Sequence, residues 1–140
     1  MKLNVYLNFN GNTETAINFY RSVFGGELVD LMRWKEMPGA EGVSTENGEK
    51  IMHVTLSVGD NLVLHASDVL ESMGRKLVVG NNFSLMLEPA SKDEADRYFK
   101  QLSVNGKIDT PMQDMFWGDY YGDLTDQFGV QWMINFTYPR

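Results

Sequence analysis

A chain of 140 residues, 43% hydrophobic and 22% charged, is long enough to bury the core of one compact domain. Its formal net charge of −7 repels phosphate backbones, which argues against nucleic acid as a partner. It has no cysteine, which excludes disulfides, thiolate metal ligands and a cysteine nucleophile, and no run of the roughly 18 apolar residues that a membrane helix needs.

The N-terminal stretch Met1-Lys2-Leu3-Asn4-Val5 has neither a long apolar run nor a small-residue cleavage site, so a cytoplasmic location is expected. Residues 3–9 then alternate, Leu3, Val5, Leu7 and Phe9 against Asn4, Tyr6 and Asn8, which predicts a strand with one buried face. Asn12 suits a helix N-cap, with Glu14 in the first turn. Ala16, Ile17, Tyr20, Val23 and Phe24 follow at helical spacing, and Gly25-Gly26 ends the helix. A strand over about 27–34 comes next. Residues 35–50 contain three glycines and a proline with no clear period, which predicts a long loop.

Residues 51–58 alternate again, Met52, Val54, Leu56 and Val58 against His53, Thr55 and Ser57. Gly59-Asp60-Asn61 turns the chain into a return strand over 62–67. Residues 69–81 read as an irregular link, followed by a strand at 82–88. Ser91-Lys92-Asp93-Glu94 is a capping box, and Ala95, Tyr98, Phe99 and Leu102 supply the buried stripe of a second helix. Three further strands are expected near 106–112, 115–121 and 130–137.

The chain repeats itself. A shift of 79 residues carries Asn12 to Ser91, Ala16 to Ala95, Phe19 to Tyr98 and Tyr20 to Phe99. Each half therefore reads as strand, helix and three strands, an α+β pattern. Module one covers about residues 1–68, the link about 69–81 and module two about 82–140. One helix leaves the opposite face of each four-stranded sheet uncovered. Two such sheets side by side are expected to form a cupped surface, with the helices outside and the concave side open to a ligand.

The strings Tyr6-Leu7-Asn8-Phe9-Asn10-Gly11, Phe24-Gly25-Gly26, Met52-His53, Ser67-Asp68, Phe116-Trp117-Gly118 and Asp126-Gln127-Phe128-Gly129-Val130-Gln131-Trp132 occur in this order. On them the chain resembles the PhnB-like branch of the vicinal-oxygen-chelate superfamily, which includes glyoxalases, bleomycin-resistance proteins and dihydroxybiphenyl dioxygenases. The resemblance spans essentially the whole chain. It implies paired βαβββ modules, eight strands in a mixed sheet, and commonly a homodimer. The methyltransferase label that some members of the branch carry has no support here, because the chain lacks a glycine-rich strand-to-helix turn.

Metal-using members of that superfamily take four His, Gln or Glu ligands from the first and fourth strands of each module. The metal then polarises the oxygens of the substrate. The resemblance carries these positions to Val5 (or Asn4 or Tyr6), His65 (or Leu64), Ser84 (or Phe83 or Leu85) and Met133. Only His65 is a good ligand for a divalent transition metal, and one imidazole does not hold such an ion against water. No metal and no cofactor is therefore expected.

Other residues suit ligand contact. His53 and His65, the only histidines, lie on the polar sides of their strands. They are read either as ligand contacts or a general base, with Asp68 orienting one ring, or as solvated side chains. Asp68 reads equally as a strand-end cap. Trp117, Tyr120 and Tyr121 beside Gly118 and Gly122 suit a pocket wall, or else packing or a dimer contact. Asp126 is either a carboxylate at the rim of the cup or, more plainly, the residue that closes the turn into the last strand. The leading expectation is a metal-free small-molecule binding protein. Its rivals are a divalent-metal-dependent lyase or isomerase of glyoxalase type, using His53, His65 and Asp68, and an interaction module whose dimer is the functional unit.

Overall fold

The computed structural model describes residues 1–140, which fall into two compact units, Met1–Val78 and Val79–Arg140. The first contains β1 (Val5–Phe9), α1 (Thr13–Phe24), β2 (Glu27–Arg33), a short α2 (Thr45–Gly48), β3 (Ile51–Val58) and β4 (Leu62–Asp68). The second contains β5 (Leu85–Leu87), α3 (Lys92–Leu102), β6 (Lys107–Asp114), β7 (Asp119–Thr125) and β8 (Gln131–Thr137). No helix is long and apolar enough to cross a membrane.

Each unit holds one four-stranded mixed sheet. The first runs β1-β4-β3-β2, with β1 and β4 parallel and the other pairs antiparallel. The second repeats that plan as β5-β8-β7-β6, with β5 parallel to β8. The architecture is α+β with two βαβββ units, as the repeat predicts.

In the first unit, alternation sends Leu7, Phe9, Val54, Leu56, Leu64 and Ala66 to the face covered by α1, where all are buried. α1 meets them with Ala16, Ile17, Tyr20, Val23 and Phe24, the stripe expected from its period. Ala95, Phe99 and Leu102 of α3 pack in the same manner on Leu124, Trp132 and Ile134. The 79-residue shift is thus a packing equivalence. Ala16 and Ala95 are both fully buried, and Tyr20 and Phe99 both enter their cores.

Three local expectations change. Asn12 does not cap α1 with its side chain; the carboxylate of Asp68, from the end of β4, reaches across and takes the first amides instead. Residues 35–50 are not featureless. They carry single helical turns at Ala40–Gly42 and in α2, where the Ser44 hydroxyl accepts from the Asn47 amide at 3.1 Å. The strand expected at 115–121 begins later, at Asp119, because Met115–Gly118 is a turn. There the Gly118 amide donates to the Met115 carbonyl at 3.0 Å with φ at 99°, a backbone that favours glycine.

The helix end at Gly25-Gly26 also has a steric cause. A Cβ at Gly26 would stand 2.4 Å from the Ser57 carbonyl oxygen, so any side chain there would push β3 away. Two outer strands, β2 and β6, lose regular register at matching places. β2 slips between Val29 and Met32, where Asp30 has φ of 55°, and β6 slips between Ile108 and Gln113.

Candidate functional site

The face of the first sheet turned away from α1 gathers Tyr6 and both histidines of the chain. Register places Tyr6 beside His65, His65 beside Thr55 and Thr55 beside Val29, straight across the four strands. His53 lies two residues from Thr55 on the same face, next to Met32. The Tyr6 ring is 5.9 Å from both imidazoles and nearly parallel to that of His65, and the two imidazole centroids are 5.6 Å apart. Tyr6 is 48% exposed, and both histidines are half-buried.

The imidazoles are held by their neighbours in the sheet. His65 Nδ1 is hydrogen-bonded to Thr55 Oγ1 at 2.9 Å, and His53 Nδ1 lies 3.4 Å from the Asp30 carbonyl oxygen, which the β2 bulge turns toward it. These contacts orient the rings and leave each Nε2 for a ligand. The structure brings His53 and His65 together and adds Tyr6 and Thr55, two partners that strand parity alone could have pointed to.

Asp68 does not join them. It is 1% exposed, and its Oδ1 accepts from the Gly11 amide (2.9 Å), the Thr13 amide (3.0 Å) and the Thr13 hydroxyl (2.7 Å). Its Oδ2 accepts from the Ile51 amide at 2.8 Å. Neither oxygen orients an imidazole, so the role expected for it falls to Thr55 and the Asp30 backbone.

In the second unit, Trp117 sits in the β6–β7 turn and is 48% exposed. Its ring is 6.1 Å from that of Tyr121, edge to face. The Tyr121 hydroxyl donates to Asp123 Oδ2 at 2.7 Å. Tyr120 points the other way, toward α3, donating to Asp96 Oδ1 at 2.6 Å under the ammonium of Lys92. It therefore does not share a wall with Tyr121 and Trp117. Asp126 closes the turn into β8, as the plainer of its two readings has it. It is 4% exposed; Oδ1 accepts from the Phe128 and Val130 amides, and Oδ2 from the Trp132 indole at 2.9 Å.

Two phenols are held protonated well beyond their ordinary range. The hydrogen bond to Asp96, then burial, pushes Tyr120 up to about 12. Burial, then the hydrogen bond to Asp123, pushes Tyr121 up to about 12. A proton bound more tightly in the folded state stabilises it fully below the unfolded pKa of about 10, and that contribution is lost as pH rises toward 12. Stability in urea is therefore expected to fall over that interval, and Tyr120→Phe and Tyr121→Phe should each flatten the fall. An equally steep decline in both variants would contradict this assignment.

A divalent metal of the kind the fold implies finds a poor donor set. The first sheet offers Tyr6 and His65 at the parallel β1–β4 pair, with His53 nearby. The matching β5–β8 pair in the second sheet is Met86 and Met133, two thioethers. No three His, Asp or Glu side chains come together anywhere in the chain. The residues present do not fit such an ion.

The model of the Glyoxalase/Bleomycin resistance protein/Dioxygenase superfamily matches residues 2–134. Protein YjdN of Escherichia coli (strain K12) is 35% identical over 139 residues, spanning 96% of this chain and 95% of its own. Protein PA1353 from Pseudomonas aeruginosa superposes with a TM-score of 0.85 at 33% identity, covering 98% of each chain. A PhnB protein from Bacillus cereus shares the fold, with a TM-score of 0.79 at 23% identity over 98% of this chain and 100% of its own. A βαβββ repeat with these relatives along nearly its full length belongs to the glyoxalase/bleomycin resistance/dioxygenase superfamily.

Proposed function

We propose that this protein is a metal-free small-molecule binding protein, cytoplasmic and homodimeric, that holds its ligand by aromatic and polar contacts on the helix-free sheet face of the first unit. One observation carries the reading: Tyr6, His53 and His65 stand within 6 Å of one another on a face that α1 leaves open. Three flat rings with polar edges, the two imidazoles oriented by their neighbours, suit a planar or ring-bearing ligand with hydrogen-bonding groups. Trp117 and Tyr121 form a comparable surface in the second unit and are proposed as further contacts.

The rival is a metal-dependent lyase or isomerase, and the imidazole pair at 5.6 Å is the observation in its favour. Two imidazoles need at least one more protein ligand to make a zinc-type site. Metal analysis of dialysed protein separates the two; a stoichiometric ion would support the enzyme and end the metal-free reading.

A thermal-shift screen over metabolites and cationic drugs tests binding, because a ligand that prefers the native state raises Tm. His65→Ala or Tyr6→Ala is expected to weaken a ligand so found by about tenfold or more, equivalent to ~1.4 kcal/mol. Unchanged affinity in both variants would remove this face from the site.

A further inference from the structure

The first unit also has a cavity whose lining contains none of the ring-cluster residues. It lies beyond the carboxyl ends of the parallel strands β1 and β4, where one chain path leaves for α1 and the other for the link between the units. The Val69 amide donates to the Phe9 carbonyl at 2.8 Å and ties the two paths together at its base. The cavity measures about 240 Å³ and is lined by Asn10, Asn47, Lys50, Glu71 and Ser72, with Val69 and Leu70 as its apolar part. That is room for a small metabolite rather than for one or two waters.

Its charges are uncommitted. The ion pairs of the chain are Arg33 with Glu14, Lys35 with Glu49, and Lys107 with Asp109. Lys50 and Glu71 line one cavity yet pair neither with each other nor with any other residue. The side chains of Asn10, Asn47 and Ser72 likewise have no intramolecular partner. Lys50 is nonetheless placed. Its Cε and Nζ would stand 3.5 and 3.8 Å from a Cβ at Gly11, whose φ of 94° suits glycine, so the ammonium lies against the Gly11 backbone.

A plain anion drawn to Lys50 would meet Glu71 and the field of a chain with net charge −7. A plain cation drawn to Glu71 would meet Lys50. A ligand with both charges satisfies both residues, and the two amides and the hydroxyl serve its remaining polar atoms. We infer that this cavity binds a small zwitterion of the amino-carboxylate class, with its carboxylate on Lys50 and its ammonium on Glu71. The inference uses none of the residues of the ring cluster, so either site can fail while the other stands.

The test is an amide-resonance titration of the full-length, ¹⁵N-labelled protein with glycine, β-alanine and γ-aminobutyrate, three zwitterions of increasing charge separation. Propionate and propylamine serve as single-charge controls. At least one zwitterion is expected to shift the Asn10, Asn47 and Ser72 amides saturably and to bind at least tenfold more tightly than either control. Glu71→Gln, at an exposed position, should bring that zwitterion down to the affinity of propionate. Lys50→Met, checked for unchanged Tm, should lose binding by tenfold or more. Absence of saturable shifts with all three zwitterions would overturn the inference, as would propionate binding as tightly as the best of them, or either variant retaining full affinity.

Discussion

Asp68→Ala is expected to lower stability by ~4 kcal/mol, read as a fall in the urea midpoint with little change in slope. The carboxylate is 1% exposed and satisfies four donors from two separate segments: Gly11 and Thr13 at the start of α1, and Ile51 at the start of β3. Alanine would strand these donors where water does not reach. Each orphaned buried donor costs on the order of 1–3 kcal/mol, with partial relaxation keeping the total below the simple sum. Asp68→Asn should cost about half as much, since one oxygen still accepts while its amide opposes the Ile51 N–H. An Asp68→Ala protein with an unchanged midpoint would refute this account.

Asp126→Ala is expected to cost ~3 kcal/mol by the same physics in the second unit. Two backbone amides and the indole of Trp132 lose their acceptor, and Trp132 is itself only 1% exposed. A double-mutant cycle isolates the indole. In a Trp132→Phe background there is no N–H to strand, so removing Asp126 should cost ~1 kcal/mol less than in the parent chain. Strict additivity of the two substitutions would show that the indole bond contributes nothing.

Both aspartates show how far a one-dimensional reading reaches. Asp126 was legible because two of its partners, Phe128 and Val130, lie two and four residues away, within the span of a turn motif. The partners of Asp68 lie 17, 55 and 57 residues away, and no local pattern announces them. Alternation correctly set the buried faces of β1, β3 and β4, and with them the juxtaposition of His53 and His65. It failed at Met115-Phe116-Trp117, an apolar run that looks like strand but forms a turn with Phe116 97% exposed. Tyr120 and Tyr121 read as one aromatic wall, but neighbours on a strand point to opposite faces, and Tyr120 bonds to α3. The loop 35–50 hid its short turns because single-turn helices leave no periodic signature.

The irregular outer strands have a consequence for the chain among its own copies. A straight, unpaired strand presents a template on which a neighbouring molecule can lay its own backbone, and repetition of that step builds fibrils. β2 is bent out of true by Asp30, and β6 carries Pro111, which has no N–H to offer, within its own break in register. Each sheet thus spoils, along this one of its two edges, a docking line on which identical chains would polymerise.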